Sequence, residues 1–162
     1  MTLIELANKE IDLYSNVNNI YDGKINSLIP NLTLKEIYEE YAKVHNEYSK
    51  LSHKNIEALK RALFIQWYSI TEPNYLTGIN KLDEKSERKI ITDLKTRIDQ
   101  NEADKELIWM LNYYLNWDFV FDRFKDIIEF DKIIQEKDAD KPKIKTDERG
   151  QMGIYWKSIT TE

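Results

Sequence analysis

A chain of 162 residues, with 41% hydrophobic and 33% charged residues, has the size of one domain and too many apolar groups for a disordered protein. Its net charge of −5 disfavours binding to nucleic acid and to anionic membranes, because both require a basic surface. The absence of cysteine excludes disulfides, thiol nucleophiles and thiolate-bound metals.

The sequence carries no pattern for export or membrane insertion. The N-terminal segment contains Glu5 and no basic run ahead of an apolar stretch, unlike a secretory signal. The longest uncharged run, 107–117, is eleven residues long. A membrane-spanning helix needs about 18 apolar residues. We therefore expect a soluble, cytoplasmic protein.

Two helices are predicted in the first third of the chain. Apolar residues at helical spacing mark a helix over 3–20, which the turn at 21–23 ends. Thr33 and Glu36 have the spacing of a capping box, in which each side chain bonds the backbone amide of the other residue. The second helix therefore begins here and continues to about Leu51.

The third predicted helix, 53–71, is the centre of the proposed fold. Its second half, 62–71, contains no charged residue, so neighbouring elements should bury it on most sides. Pro73 disfavours helical geometry at Glu72 and ends the helix there.

Two further helices follow. Asp83 is placed to cap a fourth helix over 84–100, and the segment 101–104 has the composition of a fifth helix start. The fifth helix carries the long uncharged run, so we expect it to pair with the third in the core. For 116–135 the pattern is mixed, and we favour a helix, broken near 116–118, over a strand.

The last part of the chain changes in composition. Residues 136–149 are rich in charge and poor in apolar groups, which indicates a charged loop or linker, while 150–162 recovers Trp156 and other apolar residues. We expect 150–162 to pack on the domain as a short extended piece or turn, or else to bind a partner. The prediction is an all-α fold, an irregular bundle of five or six helices forming a single domain over 1–135.

A row of carboxylates is the first candidate site. Asp118, Asp122, Asp126 and Glu129 would share one face of a helix over 116–135. Four like charges on one face repel, and either a divalent cation or a basic partner would relieve that repulsion. The alternative is a solvated helix face without a binding role.

The second candidate site surrounds the end of the third helix. A ligand pocket built from Arg61, Tyr68, Glu72 and Tyr75 would combine aromatic walls with opposite charges. If Glu72 is buried there, its pKa would be raised and it could act as an acid or base. The alternative is that Glu72 bonds backbone amides of the following turn and holds the corner.

The remaining residue patterns give no catalytic or cofactor site. His45 and His53 lie eight residues apart without a metal-binding motif, and the sequence has no glycine-rich phosphate loop and no catalytic-triad pattern. We predict no metal, no cofactor and no catalytic residue, and whether the protein is an enzyme stays open, with the balance against it.

The leading hypothesis is a non-enzymatic protein-binding module, an acidic helical adaptor or inhibitor. Small bacterial immunity proteins, which neutralise a partner by masking it, exemplify this class. Its partner would be a protein, and a basic one if the acidic face binds it. The first alternative is a small-molecule-binding protein or enzyme with its pocket near Glu72. The second is a self-associating structural protein that forms a homodimer through exposed aromatic residues.

Overall fold

The computed structural model describes residues 1–23, 31–133 and 141–160. Within these ranges the chain is all-α, which confirms the predicted fold class. The helices are α1 (Leu3–Asp22), α2 (Leu34–Leu51), α3 (Ile56–Thr71), the single turn α4 (Asn74–Thr77), α5 (Glu84–Asp99), α6 (Lys105–Tyr114) and α7 (Gly150–Thr160). Two short 3-10 helices lie between α6 and α7, at Asp122–Phe124 and Phe130–Lys132.

Side-chain caps fix where the helices begin. The predicted capping box is present at α2, where the Thr33 hydroxyl accepts from the Glu36 amide and the Glu36 carboxylate accepts from the Thr33 amide. Asp83 caps α5 as the sequence predicts, and Asp104, the last residue of the predicted start signal 101–104, caps α6. A capping box at Thr2 also begins α1.

Helix α3 is the centre of the fold. Every residue from Ala58 to Trp67 is buried, and α2, α4, α5 and α7 all pack against this helix. Helix α1 packs on α2 and α7 from the outer side. No helix within the described ranges is both long enough and apolar enough to cross a membrane.

Aromatic rings join α3 to α6 and α7. Trp67 of α3 stacks on Tyr114 of α6 with ring centroids 4.9 Å apart. Trp156 of α7 meets Trp109 of α6 edge-on at 4.9 Å. Trp67, Tyr114 and Trp156 are almost completely buried, so these rings form core rather than a stacking platform for a ligand.

Two segments differ from the sequence-based expectation. Residues 116–133 do not continue α6 as a helix but form turns and the two 3-10 helices, while Val120, Phe121 and Phe124 are still buried. The C-terminal segment is neither extended nor a turn, because Gly150–Thr160 forms the helix α7. At Gly153 a Cβ would lie 2.0 Å from the carbonyl oxygen of Thr146, so glycine lets the preceding segment pack tightly against α7.

Candidate functional site

An acidic groove lies between α1 and α2. It encloses about 460 Å³ and carries four carboxylates against one lysine. Its lining consists of Lys9, Asp12, Leu13, Asn16, Leu32, Glu36, Glu39 and Glu40. We call this feature the acidic groove.

Two carboxylates of the acidic groove, those of Glu36 and Glu40, are charged at neutral pH. Hydrogen bonds from the Thr33 amide and hydroxyl lower the pKa of Glu36, and those from Lys43 and Lys9 lower the pKa of Glu40. Asp12 and Glu36 form no ion pair with any described residue. Glu39 and Glu40 pair with lysines, so Asp12 and Glu36 carry the negative charge of the groove that no described cation offsets.

The floor of the acidic groove is apolar and fixed in place. Leu13 is buried there, and Leu32 is half-buried. The Asn16 side chain donates to the Asp12 carbonyl at 2.9 Å and accepts from the Leu32 amide at 3.2 Å, which ties the approach to α2 onto α1. Lys9 pairs with Glu40 at 2.5 Å across the same two helices.

A second, larger cavity lies on other elements of the fold. It encloses about 790 Å³ and is lined by six cationic and five anionic side chains with two apolar ones. They are Leu3, Ile4, Glu57, Lys60, Arg61, Asp104, Lys105, Glu106, Lys143, Lys145, Asp147, Glu148 and Arg149. We call this feature the charged cleft.

Arg149 clamps the segment before α7 onto α3 and α6. Its Nε and Nη2 atoms each donate to the Glu57 carboxylate at 2.7 Å, and its Nη1 donates to Glu106 at 2.7 Å. Further bonds run to the second Glu106 oxygen and to the Lys145 carbonyl, so all five N–H groups of Arg149 have acceptors. Burial acts to raise the pKa of Glu106, but the bonds from Arg149 and Lys60 outweigh it and lower that pKa.

A buried carboxylate lies beside this clamp. The hydroxyls of Tyr41 and Tyr48 donate to Glu10 at 2.7 Å each, and the backbone amide of Gln151 donates to it at 3.2 Å. Burial raises the pKa of Glu10, while the bonds from Tyr48, Tyr41 and Gln151 oppose that shift. Arg61 donates to the Tyr48 hydroxyl at 3.5 Å, which connects Glu10 to the charged cleft.

The backbone leading into α7 has an unusual shape at the same place. Glu148 and Gly150 both adopt left-handed conformations, with φ of 61° at each. The Glu148 carbonyl accepts from Arg61 at 2.9 Å, which holds the turn in a conformation that a residue with a side chain rarely adopts. Arg61 thus holds the turn through the Glu148 carbonyl, and the side chain of Arg149 anchors its middle residue to Glu57 and Glu106.

The structure does not bring the four predicted pocket residues together. Arg61 lines the charged cleft, whose lining does not include Tyr68, Glu72 or Tyr75. Arg61 and Glu72 share a helix face, but eleven residues of helix separate them by about 16 Å. Tyr68 packs on Phe64 and Trp67, and Tyr75 lies half exposed beside Tyr21.

The predicted acidic face has no helix to carry it. Asp118, Asp122, Asp126 and Glu129 lie on turns and 3-10 segments of 116–133. Asp122 pairs with Lys125 at 3.0 Å, Glu129 pairs with Lys132 at 2.5 Å, and Asp126 pairs with Arg88 of α5. The repulsion that would favour a basic partner here is therefore largely relieved within the chain, and binding by this face stays a prediction.

The sequence contained partial signals for the features that were missed. Glu10 interrupts the apolar face of α1 between Leu6 and Leu13, and an acid in that position calls for buried donors. Gly150 and Gly153 directly follow the predicted loop 136–149, in the segment expected to pack on the domain as an extended piece or turn. Among the described residues, no three His, Asp or Glu side chains converge to hold a metal ion.

Comparisons with protein-family models, with curated proteins and with solved structures each find no match to this chain.

Proposed function

We propose that the protein is a non-enzymatic protein-binding module that takes a basic segment of a partner protein into the acidic groove. The observation that carries this proposal is the groove itself, with four carboxylates, one lysine and an apolar floor. A partner segment bearing lysine or arginine would pair with Asp12 and Glu36, which have no cationic partner among the described residues.

The apolar floor adds to the selectivity of such a site. The half-buried Leu32 offers contact area to an apolar side chain placed between the basic residues of the partner, and the buried Leu13 lines the floor beside it. Both walls of the groove are helices, and Lys9 and Asn16 hold them together. The groove is therefore preformed, so binding costs little conformational entropy in this chain. An amphipathic basic segment fits this combination of charge and apolar area.

Affinity capture with matched variants tests the proposal. Asp12→Asn with Glu39→Gln removes two charges from the groove without touching a helix cap or a buried contact, since Glu39 makes only an exposed pair with Lys35 at 3.9 Å. The control is Asp118→Asn with Asp122→Asn, which removes two charges from the face that the sequence suggested. The proposal predicts a partner that wild type and control retain and the groove variant loses, with release at high salt. Loss in the control variant alone would place binding on 118–129 and refute the groove.

A further inference from the structure

The charged cleft holds two buried cations whose hydrogen-bonding capacity is incomplete. Lys60 has three N–H donors, and two of them bond Asp104 and Glu106. Arg61 has five, of which four reach Glu57, the Leu3 carbonyl, the Tyr48 hydroxyl and the Glu148 carbonyl. Among the described residues, each of these side chains therefore has one N–H donor without an acceptor, and both side chains line the cleft.

The charge balance of the cleft differs from that of the whole chain. Six cations and five carboxylates line it, whereas the chain carries a net charge of −5. Lys105 and Lys143 at the rim form no ion pair with any described residue. Asp147 is the one lining carboxylate that no described cation pairs with. The cleft is thus a local positive region in an acidic protein.

The first turn of α6 adds a third cation to the cleft. Asp104 caps this helix by accepting from the Leu107 amide at 2.8 Å, so a carboxylate of the chain already occupies the helix N-terminus. The next residue, Lys105, lines the same cavity as Lys60 and Arg61. The cations approach from three separate elements, which suits an anion that accepts bonds from several directions.

We propose that the charged cleft binds a small phosphate-bearing anion that contains no aromatic ring. A phosphate group offers about 1.5 to 2 negative charges and three strong acceptor oxygens, which match donors arriving from α3, α6 and 143–149. No aromatic side chain lines the cleft, so nothing is present to stack a nucleobase. The volume of about 790 Å³ exceeds the space needed by one phosphate and lies within the range of small-molecule sites.

Titration with pyrophosphate, followed by calorimetry and by amide chemical shifts at low salt, tests this proposal. We expect saturable binding of one pyrophosphate, with shifts at 104–106 and 143–149. Lys105→Gln with Lys143→Gln should weaken binding by about tenfold or more, because it removes two rim charges and disturbs no ion pair between described residues. The matched control, Lys54→Gln with Lys85→Gln, removes two exposed lysines outside the cleft and should bind as wild type does.

Three results would overturn the proposal. They are an absence of saturable binding, an equal loss in the rim and control variants, and tighter binding of malonate than of pyrophosphate. The last result would assign the cleft to carboxylates instead. The cleft and the acidic groove share no lining residue, so failure of either proposal leaves the other standing.

Discussion

The carboxylate of Glu10 occupies the space that a side chain on Gly150 would need. A Cβ atom placed on Gly150 comes within 2.4 Å of Glu10 Oε1, and both residues are buried. Glu10 belongs to the middle of α1 and Gly150 to the first turn of α7, so this contact joins the two ends of the chain. This contact positions the backbone amide of Gln151 to donate to Glu10 at 3.2 Å.

Gly150→Ala should destabilise the protein by roughly 3 kcal/mol. The left-handed φ of 61° is unfavourable for alanine, and the new methyl group displaces the Glu10 carboxylate from its hydrogen bonds. Gly23→Ala is the matched control, because Gly23 has φ of 63° with nothing near its Cβ position, and it should cost about 1 kcal/mol. Urea unfolding measures both, and equal losses would contradict the role given to Glu10.

Arg149→Gln should cost about 3 kcal/mol, since it leaves the Glu57 and Glu106 carboxylates without the cation that holds them in a partly buried place. Arg88→Gln provides the comparison, because Arg88 pairs with an exposed Asp126, and such pairs contribute at most about 1 kcal/mol. A loss for Arg149→Gln no larger than for Arg88→Gln would show that the clamp does not hold the segment before α7.

His45 should make the protein less stable in acid. Burial lowers the pKa of His45 to about 3, so between pH 6.5 and 3 the unfolded chain binds a proton that the folded chain does not. Stability is then lost as the pH falls through this window, by roughly 4 kcal/mol in total. His45→Gln should reduce that loss in urea unfolding across the same range. An unchanged acid dependence in the variant would contradict a buried neutral histidine.

Glu10 should make stability depend on pH in the opposite direction to His45. Burial raises its pKa above the usual 4.5, so the folded chain holds the proton more tightly than the unfolded chain does. The contribution of this group is therefore largest below pH 4.5 and falls as the pH rises toward the folded pKa. As the pH rises through this range, wild type should therefore lose free energy of unfolding relative to the variant Glu10→Gln. A difference that stays constant with pH would refute the raised pKa.

Local signals in the sequence were sufficient for most helix boundaries. Thr33 with Glu36 and Asp83 begin helices where their cap geometry predicts, and α6 begins directly after the start signal at 101–104. The uncharged second half of α3 is buried as expected from 62 to 67, whereas Ile70 is exposed. These features depend on residues within one turn of each other or on one helix face. Sequence reasoning therefore works where the determining contacts are local.

Tertiary contacts determine the conformation of the two segments that were predicted wrongly. α7 contains Gly153, a weak helix former, yet it is helical because the close approach of Thr146 and the Glu10 contacts stabilise it. In 116–133, the helical spacing of Val120 and Phe124 overlaps a strand-like alternation, and neither regular element forms. The periodicity there was ambiguous because an irregular segment can bury the same residues.

The candidate sites depend on register between helices, which the sequence does not specify. Asp12 lies on α1, and Glu36, Glu39 and Glu40 lie on α2, so only the packing of the two helices makes a groove. The acidic face at 118–129 was predicted from spacing along one helix, and no helix forms there. Glu57, Glu106 and Arg149 of the clamp are separated by more than 40 residues along the chain, so their convergence had no local signature.

Amide chemical-shift mapping with a basic amphipathic peptide tests the central claim most directly. The peptide carries lysines flanking a leucine, and its control replaces the lysines with glutamate. We expect the largest shifts at 9–16 and 36–40, their loss in Asp12→Asn with Glu39→Gln, and their retention in Asp118→Asn with Asp122→Asn. Shifts centred on 118–129, or spread evenly over all acidic surfaces, would contradict the acidic groove as the binding site.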